Sequence, residues 1–153
     1  MMHLRRVIRL AQSLNSQATL DTISETLQLR LLENRDDRNW PFGVFVLSST
    51  MDNIQLCAAA ISKARDLCCS GPINPKATIR VGDVVIGENS FDPCFWSGQL
   101  HDIIPGKLTA ALSLAIRESL AIREEALPLG VVTDWDAVAG RFLENLTPVA
   151  TTD

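Results

Sequence analysis

Tyrosine is absent from this 153-residue chain, histidine occurs only twice, and aromatic residues make up 5% of the sequence. With so few aromatic side chains, the core must be built mainly from Leu, Ile, Val and Ala. The cysteines form no CxxC pair and no regular spacing, which disfavours both a zinc site and a disulfide scaffold. We therefore predict no metal site and interpret the four cysteines as reduced thiols: Cys57, Cys68, Cys69 and Cys94.

Long apolar runs are absent as well. The longest, residues 56–61, falls far short of the roughly 20 residues needed to cross a bilayer. The apolar stretch at the N-terminus is interrupted by Arg9 and Gln12, unlike that of a secretory signal. We therefore expect a cytoplasmic protein with no membrane partner.

The charge of the chain also limits its partners. A formal net charge of -4 argues against a nucleic-acid partner, because nucleic-acid binders present a basic face. Arg5, Arg6 and Arg9 form a local basic cluster, which we interpret as a solvated helix face rather than a phosphate site. The composition, 46% hydrophobic and 21% charged, is typical of a single globular domain, here spanning residues 1–153.

Helical spacing is found near both ends of the chain. The first helix, over residues 3–14, has one apolar face and no obvious place in the minimal domain, so we expect it to serve association. A second helix is predicted over 20–31, and a last one before a frayed tail at 148–153. The apolar positions are Leu4, Val7, Ile8, Ala11 and Leu14 in the first helix, Leu20, Ile23, Leu27 and Leu31 in the second, and Val138, Phe142 and Leu146 in the last.

Capping residues are predicted for two of these helices. A Thr22–Glu25 capping box, or Asp21 alone, can start the second helix, and Asp134 or Asp136 can cap the last one. Residues 34–39 follow the second helix as a polar run, which predicts a surface loop.

The middle of the chain predicts strands. Residues 42–47 are aromatic and β-branched, and 54–60 form the nearest apolar partner, so we predict a central antiparallel pair. Periodicity alone favours a helix over 54–64, an alternative that stays open here. Further strands are predicted over 78–86, with a turn or bulge inside, and over 119–122 and 127–133, whereas 108–116 is good helix material. The predicted fold class is α+β, with a mainly antiparallel sheet flanked by N- and C-terminal helices.

This order of elements resembles that of GAF domains, the small-molecule sensor modules of signalling proteins. Residues 20–32, 42–47 and 54–61 look like the first helix and opening strand pair of that family. Residues 84–86 with Asp92 and Pro93 are similar to its third strand and following loop, and 119–122 with 129–135 to its closing hairpin. The resemblance implies a ligand-sensing domain but names no ligand or cofactor.

The irregular segment 87–106 carries the candidate site. We expect it to be packed, and to provide the ligand-binding residues of a cavity. The alternative is a small enzyme or redox protein, in which His101 activates Cys94 as a thiolate and Asp92 or Asp102 orients the imidazole. The residues predicted to line the cavity are Phe91, Cys94, Phe95, Trp96 and His101.

Three functions therefore remain in view. The leading hypothesis is a non-catalytic ligand-sensing or regulatory module that forms a homodimer through its first helix. The second is the enzyme or redox protein based on Cys94 and His101. The third is an acidic interaction or inhibitor protein, which the net charge would suit.

Overall fold

The computed structural model describes residues 2–33, 40–64, 79–81, 84–86, 91–124 and 134–147. Within these ranges the chain is mainly helical, with one short β-hairpin. The helices are α1 (Met2–Ser13), α2 (Gln17–Glu33), α3 (Trp40–Thr50), α4 (Ile54–Ser62), α5 (Gly98–Ile103), α6 (Gly106–Glu124) and α7 (Trp135–Leu146), and a 3-10 turn spans Pro93–Phe95.

Helix α3 is the centre of the core. Every residue from 41 to 49 is buried, so this helix is covered on all sides. A helix that is apolar all round is expected only where other helices surround it, and α1, α2 and α4 all contact α3. Pro41 is tolerated because it lies in the first turn, where its missing N–H would have had no partner within the helix.

Two serines are buried in the last turns of α3, and the hydroxyl of each is hydrogen-bonded within that helix. Ser48 Oγ donates to the carbonyl oxygen of Val44 at 2.8 Å, and Ser49 Oγ donates to that of Val46 at 2.8 Å. Because the hydroxyls bond to the preceding turn, their burial leaves no unsatisfied donor.

The turns that follow α1 and α3 have the same backbone arrangement. After α1, Asn15 adopts φ 51°, and after α3, Asp52 adopts φ 55°. The N–H of Ser16 donates to Ala11 O at 2.8 Å, and the N–H of Asn53 donates to Ser48 O at 3.0 Å. This is the Schellman arrangement, in which a left-handed residue ends the helix, and Asn and Asp tolerate that conformation better than most side chains.

Helix α7 closes the core against α4 and α6. It begins as predicted, since the Asp134 carboxylate accepts a hydrogen bond from the Ala137 N–H at 3.1 Å. Val138 and Phe142 are buried, and Leu146 packs at the edge of the core. The prediction for the last helix is confirmed.

The predicted fold class is wrong. Residues 42–47 and 54–60 are helices α3 and α4, and residues 119–122 belong to α6. The chain is mainly helical rather than an α+β domain with an antiparallel sheet. The strand prediction failed because a continuous apolar run has no period, and such a run fits a helix buried on every face as well as a strand. For residues 54–64 the helical periodicity gave the correct prediction, and the strand prediction did not.

Of the other local predictions, some are confirmed and one is wrong. In the segment 79–86, β1 (Ile79–Val81) pairs antiparallel with β2 (Val84–Ile86), so the strand prediction is confirmed there, whereas the turn or bulge predicted at residues 82 and 83 lies outside the described residues. The helix over 108–116 is confirmed within α6. The second helix is present, but it begins at Gln17, so the predicted start at Asp21 or Thr22 is wrong. The predicted loop at 34–39, strand at 127–133 and tail at 148–153 lie outside the described residues.

Candidate functional site

Two of the five residues predicted to line a cavity lie in the core. Phe91 and Trp96 are buried, and their rings lie 5.2 and 5.9 Å from the ring of Phe42, centroid to centroid. Phe91 also contacts Trp135, with the centroids 5.7 Å apart. The expectation that this segment is packed is confirmed for these two residues. Aromatic rings at these separations contribute edge-to-face and tilted contacts to the stability of the fold.

Cys94 and His101 lie at the surface. Asp92 caps the 3-10 turn, its carboxylate accepting a hydrogen bond from the Cys94 N–H at 3.0 Å. The negative charge of Asp92, and a side-chain hydrogen bond from the thiol to it, raise the pKa of Cys94 above its ordinary value of 9.0. The exposed thiol is therefore protonated at neutral pH, which is the opposite of an activated nucleophile.

The ring of His101 contacts an aromatic neighbour, with 5.5 Å between the centroids of His101 and Trp96. The backbone of Phe95 ends the 3-10 turn, and the position of its side chain lies outside the described part of the structure. Four of the five predicted residues thus divide between the core, to which Phe91 and Trp96 belong, and the surface, where Cys94 and His101 lie.

An open polar groove runs between α2 and the turn that joins α3 to α4. Its larger part has a volume of about 390 Å³ and its smaller part about 170 Å³. Asn53 connects the two walls, because its Nδ2 donates to Ser24 Oγ at 3.2 Å while its Oδ1 accepts from the Leu56 N–H at 3.0 Å. Amide and carboxylate side chains supply most of the remaining polar lining, namely Gln17, Asp21, Gln28, Asp52 and Gln55.

An ion pair joins the turn at the groove to helix α6. Asp52, which is in the left-handed conformation, forms an ion pair with Lys107, with 2.8 Å between Asp52 Oδ1 and Lys107 Nζ. Lys107 lies in the first turn of α6, so the pair joins this turn to a different helix. Both side chains are more than half exposed, so the pair adds little to stability.

Helix α1 is only partly covered by the rest of the chain. Ile8 and Ala11 are buried and Leu4 packs against the core, so the predicted apolar stripe does have a partner within the domain. The expectation of an unpartnered stripe is wrong for these residues. Val7 and Leu14 of the predicted stripe remain exposed, and so does Leu10; we call Val7, Leu10 and Leu14 the α1 strip, in which Leu14 directly follows the end of α1.

Helix α2 carries a second exposed apolar feature. Leu29 is 56% exposed and Leu32 59% exposed, and their spacing of three residues places them on one face. We call them the α2 leucine pair. Sequence reasoning missed them, although a signal was present, since neither falls on the row of Leu20, Ile23, Leu27 and Leu31 that faces the core.

Within the described residues, no group of three or more His, Cys, Asp or Glu side chains is placed to hold a metal ion. The same part of the chain contains no helix that is long and apolar enough to span a membrane. No family model matches the sequence, and neither the curated proteins nor the solved structures contain a match to it.

Proposed function

We propose that this protein is a non-catalytic regulatory module that acts through self-association, with the α1 strip as the contact surface. The observation that supports this is the exposure of adjoining apolar side chains on a helix whose other apolar face is already buried. Leu10 is 58% exposed and Leu14 is 70% exposed. Single exposed leucines are ordinary, but a row of them beside the core face is typical of a surface that another protein covers. The cytoplasmic setting expected from the sequence belongs to this proposal.

The proposal predicts that replacing Leu10 and Leu14 together by glutamine gives a folded monomer. Both side chains are exposed, so the loss of apolar surface weakens association rather than folding. We expect the dissociation constant of the dimer to rise by about tenfold or more, since the centre of an apolar contact carries most of its energy. Sedimentation equilibrium over a range of protein concentrations measures it, and circular dichroism checks the fold.

The matched control is Leu114→Gln, which alters an exposed leucine of α6. This variant should sediment like the wild type. Ile8 is unsuitable for the test because it is fully buried, and a polar residue there would unfold the helix packing. A wild-type protein that stays monomeric at several hundred micromolar would refute self-association.

Ligand sensing, the leading hypothesis from the sequence, is a second candidate function, and the groove beside Asn53 is what favours it. Phe91 and Trp96, two of the residues expected to bind a ligand, pack against Phe42 in the core. The groove, in contrast, offers amide and carboxylate acceptors to solvent. Such a lining suits a small polar molecule with N–H donors.

This second candidate predicts binding that depends on Gln55, an exposed residue of the groove. A library of small amides and amines, screened by NMR, should include compounds that shift the backbone amides of Ser24, Asn53 and Gln55. Gln55→Ala should weaken those compounds about fivefold, the value of one hydrogen bond of about 1 kcal/mol. Gln99→Ala, at an exposed site on α5, should leave binding unchanged. Equal binding to both variants would argue against the groove.

A further inference from the structure

The chain itself offers a surface that complements the α1 strip. Helix α1 contains Arg5, Arg6 and Arg9 and no acidic residue. Helix α2 contains Asp21, Glu25 and Glu33 and a single arginine. Each helix therefore presents exposed leucines beside charges of one dominant sign, and the signs are opposite.

The position of the charges relative to the leucines matters more than their number. On α1, Arg6 precedes Leu10 by four residues, so the two lie one turn apart on the same side of the helix. On α2, Glu25 and Glu33 stand four residues before and four residues after Leu29. The acidic side chains thus flank the α2 leucine pair along the helix.

Within the described part of the chain, these charges have no ion-pair partner in the same copy. Among the described residues the ion pairs join Lys107 to Asp52 and Arg141 to Glu118, and neither involves α1 or α2. Arg6, Arg9, Glu25 and Glu33 are all exposed.

We infer that the α1 strip of one copy docks on the α2 leucine pair of a second copy, with Arg6 at the edge of the contact facing Glu25 and Glu33, and Arg9 adding positive charge farther round the same helix. The inference rests on the proposed self-association and names the partner surface. In a two-fold dimer the contact occurs twice, because the α1 strip of each copy meets the α2 leucine pair of the other. Opposite charges around an apolar centre fix the register of such a contact and suppress wrong pairings.

Two charge-reversal variants test the inference. The first carries Arg6→Glu and Arg9→Glu, and the second carries Glu25→Lys and Glu33→Lys. Each variant alone places like charges across the contact, so its self-association should weaken by about tenfold or more. In an equimolar mixture both contacts of the mixed dimer are again complementary. Mixing should therefore restore a dimer whose dissociation constant is within about threefold of the wild-type value.

The control matches the second variant in charge. Asp102→Lys and Glu144→Lys change two exposed acidic residues away from α1 and α2 by the same total charge. This control should associate like the wild type, and circular dichroism should report the same helix content for every variant. Analytical ultracentrifugation with one labelled species distinguishes mixed dimers from homodimers.

The outcomes separate this inference from the proposed function. If the Glu25→Lys, Glu33→Lys variant dimerises normally while Leu10→Gln, Leu14→Gln does not, self-association stands and the α2 partner surface is refuted; α1 then pairs with α1. Failure of the mixed pair to recover also overturns the inference. A monomeric wild type refutes both.

Discussion

Replacing Phe45 by alanine is expected to lower the free energy of unfolding by about 3–5 kcal/mol. Phe45 is fully buried in α3. Its ring centroid lies 5.6 Å from that of Phe91 and 6.3 Å from that of Phe142, so one side chain joins three separate parts of the chain. Removing the ring leaves a cavity that rigid helices cannot close, and the loss is large against a typical total stability of about 5–15 kcal/mol.

Urea unfolding followed by circular dichroism measures this loss, at one fixed protein concentration because association shifts the apparent stability. Phe45→Leu keeps most of the apolar volume and should cost only about 1 kcal/mol. Leu114→Ala, at an exposed leucine, should change the unfolding free energy by about 0.5 kcal/mol or less. A loss below about 1 kcal/mol for Phe45→Ala would show that the ring is not part of the packed core.

Alkaline pH is expected to destabilise the protein through Cys57. This thiol is fully buried between α3 and α4, with its Sγ 3.2 Å from Ser48 Oγ. Burial raises the pKa of Cys57 from 9.0 to about 12. The folded state therefore holds the proton more tightly than the unfolded state, so this contribution to stability is complete below pH 9 and is lost as the pH rises from 9 towards 12.

The expected slope over that window is about 1.4 kcal/mol per pH unit from this one group. Cys57→Ala removes the titrating thiol and should flatten the pH dependence between 9 and 11, even if it lowers stability at neutral pH. The difference between the two unfolding curves isolates Cys57, since all other groups titrate in both proteins. Parallel pH profiles for the two proteins would contradict the assignment.

At neutral pH, alkylation followed by peptide mapping should label Cys94, which is exposed, and spare Cys57.

The candidate site could be anticipated only in outline. The sequence placed apolar residues along residues 3–14, but spacing alone could not tell Ile8, which is buried, from Leu10, which is exposed. That difference depends on where α2 and α3 lie around the helix. The same holds for residues 91 and 96, since a sequence cannot show whether aromatic side chains surround a cavity or fill one another's space.

The groove was not predictable at all. It depends on the turn after α3, where Asp52 is left-handed and paired with Lys107, a residue that lies in a different helix far along the chain. The chain around this turn is polar, but nothing in it identifies the helix that forms the opposite wall. Interactions between distant segments carry no local signal.

The sequence by itself determined the helices whose two faces differ. In α1, α2 and α7 an apolar row repeats at helical spacing beside polar residues, and the acidic cap at Asp134 follows from the need of free N–H groups for an acceptor. Only the tertiary structure decided the state of residues 40–50. Most side chains there are apolar and show no period, so local preference is indifferent, and the surrounding helices make α3 helical by burying every face of it.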